Sequence, residues 1–179
     1  LFESSSIVPE LRIAVEAAQR RGAQVLLDAY HAFNVVPFSV ADFGSDPIFM
    51  TAGGYKYAQW GEGCCWLRVP PDTRLRPIYT GWFSDFAHLA DRREGVTYGS
   101  RPADRFAGST YDPTSHYRAR AVIDFFDRHA LTVERLRALS LRQTERILDG
   151  LDGYRVRTPP ERRGGFVAIE LTDAMGAVK

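Results

Sequence analysis

Residues 9–28 read as a helix, a tight turn and a short buried strand that ends in a carboxylate, and this order constrains the fold more than any other feature. Pro9 is placed to open the helix, Leu11, Val15 and Ala18 recur on one face, and Gly22 falls where the helix should stop. Gln24-Val25-Leu26-Leu27 then has the length and composition of a strand, and Asp28 follows it directly. A helix returning through a tight turn into an apolar strand predicts a parallel α/β sheet, whose ligands gather at the carboxyl ends of its strands. Asp28 stands at such an end.

A second run, Pro47-Ile48-Phe49-Met50-Thr51, follows a short helical turn expected over Ser39 to Gly44, and it leads into Gly53-Gly54-Tyr55-Lys56-Tyr57. Only two of the 23 basic residues are lysines, Lys56 and Lys179. Where the chain needs positive charge alone it uses Arg, which stays protonated in proteins. A lone interior lysine therefore looks selected for an amine that can lose its proton and condense with carbonyl compounds. Cys64-Cys65-Trp66-Leu67-Arg68-Val69 reads as a third strand, with both cysteines expected as small buried hydrophobes. Their adjacency disfavours a disulfide and gives no zinc spacing, so no metal site is expected.

From Pro70 to Asp112 the pattern is irregular and rich in Gly, Pro and aromatic residues, as functional loops often are. Asp112-Pro113 then opens a helix with Ala119, Val122, Ile123 and Phe126 on its apolar side, and Thr132 caps a second helix that ends near Gly150. Tyr154 to Arg157 and Phe166 to Leu171 read as strands. The loss of the earlier alternation places a domain boundary near Asp112, giving 1–111 as part of a large α/β domain and 112–179 as the start of a small α+β domain. A net charge of +1 argues against a nucleic-acid surface. No apolar run approaches membrane-spanning length, which predicts a soluble chain, and the cysteine usage suits a reducing, cytoplasmic setting. The start lacks an initiator Met and the end reads as the first turn of a helix, so the sequence is expected to be a piece of a longer protein.

A carboxylate and an amine delivered by two strand ends are what a pyridoxal 5′-phosphate enzyme requires. The carboxylate keeps the pyridine nitrogen protonated, and the amine holds the aldehyde and moves protons. His31 either packs on such a ring, hydrogen-bonds Asp28 or is a satisfied structural histidine. Tyr55 offers a phenol for phosphate or proton donation, or else packs as an ordinary aromatic.

The order Asp28-Ala29-Tyr30-His31-Ala32-Phe33-Asn34-Val35, Gly54-Tyr55-Lys56-Tyr57, Gly61-Glu62-Gly63 and Gly81-Trp82-Phe83 resembles the kynureninase branch of the class V aminotransferase superfamily, pyridoxal phosphate enzymes of fold type I. The resemblance runs from about Val8 to Arg128. It implies that the chain is the carboxyl-terminal half of a large domain with a mostly parallel sheet and helices on both faces, followed by the start of the small domain. It further implies that Asp28 pairs with the pyridinium nitrogen, Lys56 carries the cofactor, Tyr55 binds its phosphate and His31 lies beside its ring. Trp82 and Thr110, in the Ser109-Thr110 loop, would reach the cofactor across a homodimer with composite sites. Hydrolysis of an amino-acid side chain at a carbon–carbon bond is the implied activity; the alternatives are a class V aminotransferase, another lyase, or a non-catalytic accessory protein. Tyr55 stands where desulfurase relatives usually carry a His, which argues against desulfurisation.

Overall fold

The computed structural model describes residues 3–43, 47–91 and 94–178. Lys179 and Gly44, the last residue of the turn expected over 39–44, lie outside these residues; the turn itself is a 3₁₀ segment over Val40–Phe43. Helix α1 spans Leu11–Arg20, starting two residues after Pro9 because Glu10 takes a left-handed conformation, and it stops at Arg21 ahead of Gly22 at φ 71°. A positive φ costs glycine nothing, so the chain can reverse there into the sheet.

Three strands follow, β1 over Val25–Asp28, β2 over Ile48–Gly53 and β3 over Cys65–Arg68, in the order β1-β2-β3. The pair β1 and β2 is parallel, with Leu27 opposite Met50 and Asp28 opposite Thr51. The expectation of a mostly parallel sheet is modified by β3, which runs antiparallel to β2 with Gly53 opposite Cys65. The physical reason is the connection: the loop from Gly54 to Cys64 is closed by the Gly54 N–H on the Cys64 carbonyl at 2.7 Å, and so short a link reverses the chain where a parallel neighbour needs a crossover. The cysteines also separate. Cys64 is buried, whereas Cys65 is exposed, which corrects the expectation that both are buried, since successive residues entering a strand point to opposite faces.

One face of the sheet carries the core, where Met50, Ala52 and Ala29 are buried beneath Leu27, Phe33, Phe38, Val40, Phe43 and Trp66. On the other face Phe49 packs on Phe106, with ring centroids 5.6 Å apart, while Leu26 and Leu67 stay exposed. The long irregular stretch holds two 3₁₀ segments, Trp82–His88 and Pro102–Phe106; between them the Gly99 N–H is donated to the Ser84 carbonyl at 2.6 Å and the Tyr98 hydroxyl to the Pro77 carbonyl at 2.6 Å.

Helix α2 spans Thr114–Arg128 and α3 spans Val133–Asp149, the latter capped by Thr132, whose hydroxyl accepts the Arg135 N–H at 3.3 Å. On α2 Ala119 is buried but Ile123 is exposed, so the apolar side is only partly covered. Contacts cross the expected boundary near Asp112: the Ser115 hydroxyl donates to the Gly63 carbonyl at 2.9 Å, and the Arg118 guanidinium donates to the carbonyls of Trp60 and Glu62. Strands β4, Arg155–Val156, and β5, Ile169–Glu170, form an antiparallel pair shorter than the runs expected at 154–157 and 166–171. The shortening has a cause in hydrogen bonding. The Phe166 N–H is donated to the Ser5 hydroxyl at 3.1 Å and the Gly164 N–H to the Ser5 carbonyl, so this segment pairs with the start of the chain instead.

Ser5 is fully buried, and its hydroxyl is the acceptor for a backbone donor more than 150 residues away. Ser5→Ala strands that donor, and the denaturant midpoint should fall by the equivalent of about 1–3 kcal/mol.

Candidate functional site

The parallel register of β1 and β2 brings Asp28 and the exit of β2 to the same edge of the sheet. Beyond β1 the chain turns at once. The Tyr30 N–H is donated to Asp28 Oδ1 at 3.0 Å, an Asx turn that fixes the carboxylate at the strand end. Helical turns follow, with the Phe33 N–H on the Ala29 carbonyl at 2.7 Å, and they present His31. Beyond β2, the Trp60 N–H closes onto the Gly54 carbonyl at 2.8 Å and the Gln59 N–H onto the Lys56 carbonyl at 3.1 Å, so Lys56 sits inside a doubly closed loop. Asn34 Nδ2 donates to the Tyr57 carbonyl at 3.0 Å and ties the two turns together.

Lys56 Nζ and His31 Nε2 are 2.9 Å apart. An ammonium can only donate, so beside a charged Lys56 the imidazole is neutral, with Nε2 accepting and its proton on Nδ1. Burial, and after it the Lys56 charge, lowers the His31 pKa, while the Asp28 carboxylate pulls the other way. Asp28 and Lys56 therefore both act on this imidazole, so it lies within the field of each.

Tyr55, largely exposed, lies against Lys56 with Nζ 5.0 Å from its ring centroid. Its ring also meets Tyr30, whose centroid is 5.7 Å away. Tyr30 is a site residue that sequence reasoning did not single out. Its phenol is held above the ordinary value first by the Cys65 thiol hydrogen-bonded to it and then by burial. A Cβ on Gly53 would overlap the Tyr30 ring, and one on Gly54 would come within 2.5 Å of Trp60 Cβ. Paired glycines at a strand end signal such close approach, and that signal pointed to an aromatic neighbour without saying which. Tyr57 was missed likewise; burial raises its phenol.

Trp82 and Thr110 belong to a second group. Trp82 is half exposed and stacks on Phe83 at 5.4 Å, Phe83 donates its N–H to the Gly108 carbonyl at 3.0 Å, and its ring faces Tyr111 at 6.5 Å; Thr110 is exposed beside Tyr111. An open cleft of about 790 Å³, lined by Glu62, Cys65, Tyr111, His116 and Arg118, lies between the start of α2 and the loop that enters β3. The structure thus brings Asp28, His31, Tyr55 and Lys56 together and sets Trp82 and Thr110 in a separate cluster. Among the described residues no group of acidic, Cys and His side chains could hold a metal ion, and no helix is long and apolar enough to cross a membrane.

No family model matches the chain. It is 26% identical over 188 residues to a kynureninase from Geobacillus thermodenitrificans (strain NG80-2), an alignment covering 97% of this chain and 42% of that protein. Among solved structures it is similar to the cysteine desulfurase of Thermococcus onnurineus NA1, with a TM-score of 0.71, 19% identity, and 91% of this chain and 40% of that one covered. It is also similar to the alanine–glyoxylate aminotransferase of a Nostoc species, with a TM-score of 0.58, 15% identity, and 90% and 42% covered. The chain spans about two fifths of the length of these relatives.

Two outcomes follow from the geometry. Gly54→Ala forces a methyl into Trp60 and the Cys64 carbonyl, and should cost about 1–3 kcal/mol in a denaturant titration. The depressed His31 pKa makes the folded state resist a proton that the unfolded chain accepts, so stability is complete above the ordinary imidazole range. It should decline as the pH falls through that range, and His31→Gln should remove this part of the pH dependence of the unfolding midpoint.

Proposed function

We propose that this chain, kynureninase-like in sequence and of the class V aminotransferase fold, is the lysine-bearing part of a pyridoxal phosphate-dependent enzyme that acts on an amino acid. More concretely, the whole protein hydrolyses the side-chain carbon–carbon bond of kynurenine or a closely related substrate, releasing alanine and an aromatic acid. The observation that carries this reading is the 2.9 Å contact between Lys56 Nζ and His31 Nε2 at the sheet edge that also bears Asp28.

The residues present fit the cofactor. A primary amine, a carboxylate and a phenol stand on adjoining turns, and two glycines, Gly53 and Gly54, let the backbone come close beneath the aromatic rings. When bound, pyridoxal phosphate supplies an aldehyde for the amine and a ring that draws electrons from the substrate's α-carbon.

The chain's own side chains divide the remaining work. Asp28, turned outward and anchored by the Tyr30 N–H, would hold the cofactor's ring nitrogen in its protonated form. Lys56 Nζ would hold the cofactor through its aldehyde, and as a free amine it would carry the substrate's α-proton. His31 holds the amine in place by accepting its hydrogen bond, and Tyr55 either binds phosphate or gives a proton from its hydroxyl. A general base beside the substrate's carbonyl, Lys56 or Tyr55, activates the water that cleaves the bond. In this reading Trp82 and Thr110 reach the cofactor of a second subunit, the protein is a cytoplasmic homodimer, and the residues from 112 onward begin a small domain.

In the whole protein, kynurenine should yield alanine and anthranilate, and Lys56→Ala should lose both the visible absorbance of lysine-bound cofactor and the activity. Asp28→Asn should retain binding but lower kcat by about 10²-fold or more, the scale of general acid–base assistance. Turnover with a keto-acid acceptor and no bond cleavage would replace this reaction with a transamination. Full activity in Lys56→Ala would overturn the reading altogether.

A further inference from the structure

A strap from the far end of the chain, Arg163 to Phe166, lies against the candidate site. The Phe166 ring meets His31 edge-on, with centroids 6.2 Å apart and planes at 65°. Next to it, the Gly165 backbone presses on the Tyr57 ring so closely that any Cβ there would overlap it.

The strap is held from several sides by contacts that do not involve the site. Ser5 accepts the Phe166 and Gly164 N–H groups through its hydroxyl and its carbonyl. Arg137 donates to the Gly164 carbonyl at 3.0 Å and to the Arg163 carbonyl at 2.7 Å. Arg163 turns to α3, where its Nε donates to the Thr144 hydroxyl at 2.8 Å and its guanidinium pairs with Glu145. The Phe166 backbone is therefore fixed whatever its ring touches, and the strap's own charges are engaged with α3. The charges of Lys56 and Asp28 act on His31, and to that imidazole the strap contributes only an uncharged ring.

We propose that Phe166 is a positioning residue for Lys56, acting through His31: its ring keeps the imidazole from turning and keeps water off it, so that Nε2 stays directed at the amine. An imidazole free to rotate would offer the amine Nε2 for only part of the time, and a hydrated one would bind a proton and repel it. This inference rests on the reading of Lys56 as the amine that binds the cofactor and moves protons. It also gives the carboxyl-terminal segment a direct mechanical hold on the lysine, through one ring and one imidazole.

The test uses the whole protein, histidine-labelled for NMR, with His31 assigned through His31→Gln. Phe166→Ala should raise the His31 titration midpoint toward the ordinary imidazole range, and Phe166→Leu, which restores apolar cover, should bring it back down. Phe166→Gln puts a polar chain in place of the ring, removing the apolar cover while leaving more bulk than alanine, and should act like alanine, which keeps the test decisive if the alanine variant loses its helical circular dichroism. In a second measurement, capture of pyridoxal phosphate by Lys56, trapped with borohydride and read by mass spectrometry, should slow roughly threefold to tenfold in Phe166→Ala and Phe166→Gln. A His31 midpoint and a capture rate unchanged in both variants would overturn the role of Phe166. No capture by Lys56 in the unaltered protein would instead overturn the cofactor reading, while the His31 midpoint would still decide whether Phe166 shields the imidazole.

Discussion

The parallel register of β1 on β2 is the constraint from which the rest of the site follows. With Asp28 opposite Thr51, both strands deliver their carboxyl ends to one edge, one ending in a carboxylate and the other running two residues past Thr51 to end on the first of a glycine pair. A slip of β1 by one residue would carry Leu27 away from the core face it shares with Met50 and Ala52 and would turn Asp28 inward in its place. The register is thus fixed by apolar burial, and the positions of the polar groups are its by-product. Hydrogen bonds finish what burial begins: the Asx turn at Asp28 and the closed loop around Lys56 leave the two turns little freedom, and Asn34 joins them.

Within that frame the electrostatics are local. Lys56 has a neutral imidazole for a neighbour, and the imidazole feels the lysine and the aspartate with opposite signs, with burial deciding the balance. Among the described residues the amine is held by this imidazole and no ion pair to a carboxylate joins it. The relatives of similar fold include a desulfurase and an aminotransferase, so the fold by itself does not select among reactions. Around Lys56 in this chain stand the rings of Tyr30, Tyr55 and Tyr57.

Contacts over long sequence separations bear on how the two ends of the chain cooperate. Ser5 serves the backbone at 164 and 166, and Ser115 and Arg118 serve the loop at 60–63 that follows the lysine. Apart from the Gly164 N–H on the Ser5 carbonyl, which joins backbone to backbone, these are polar contacts made by side chains to backbone groups, and they meet hydrogen-bonding needs across elements. The helices themselves are less committed: Ile123, Phe125 and Ile147 remain exposed on α2 and α3.

Periodicity and punctuation in the sequence determined much of this. Pro9, Gly22 and Thr132 marked helix ends, the apolar runs before Asp28 and Gly53 marked β1 and β2, and the scarcity of lysine marked Lys56. These signals are local, and local chemistry sets them: a cap needs its oxygen, a turn its glycine, a buried strand its apolar run. Only the tertiary structure decided that β3 runs antiparallel, that Cys65 faces outward while Cys64 is buried, that the rings of Tyr30 and Tyr55 together fill the space over Gly53, and that Phe166 comes to rest on His31. Those outcomes depend on which distant residues compete for one space and one hydrogen bond, and no window along the chain contains both competitors.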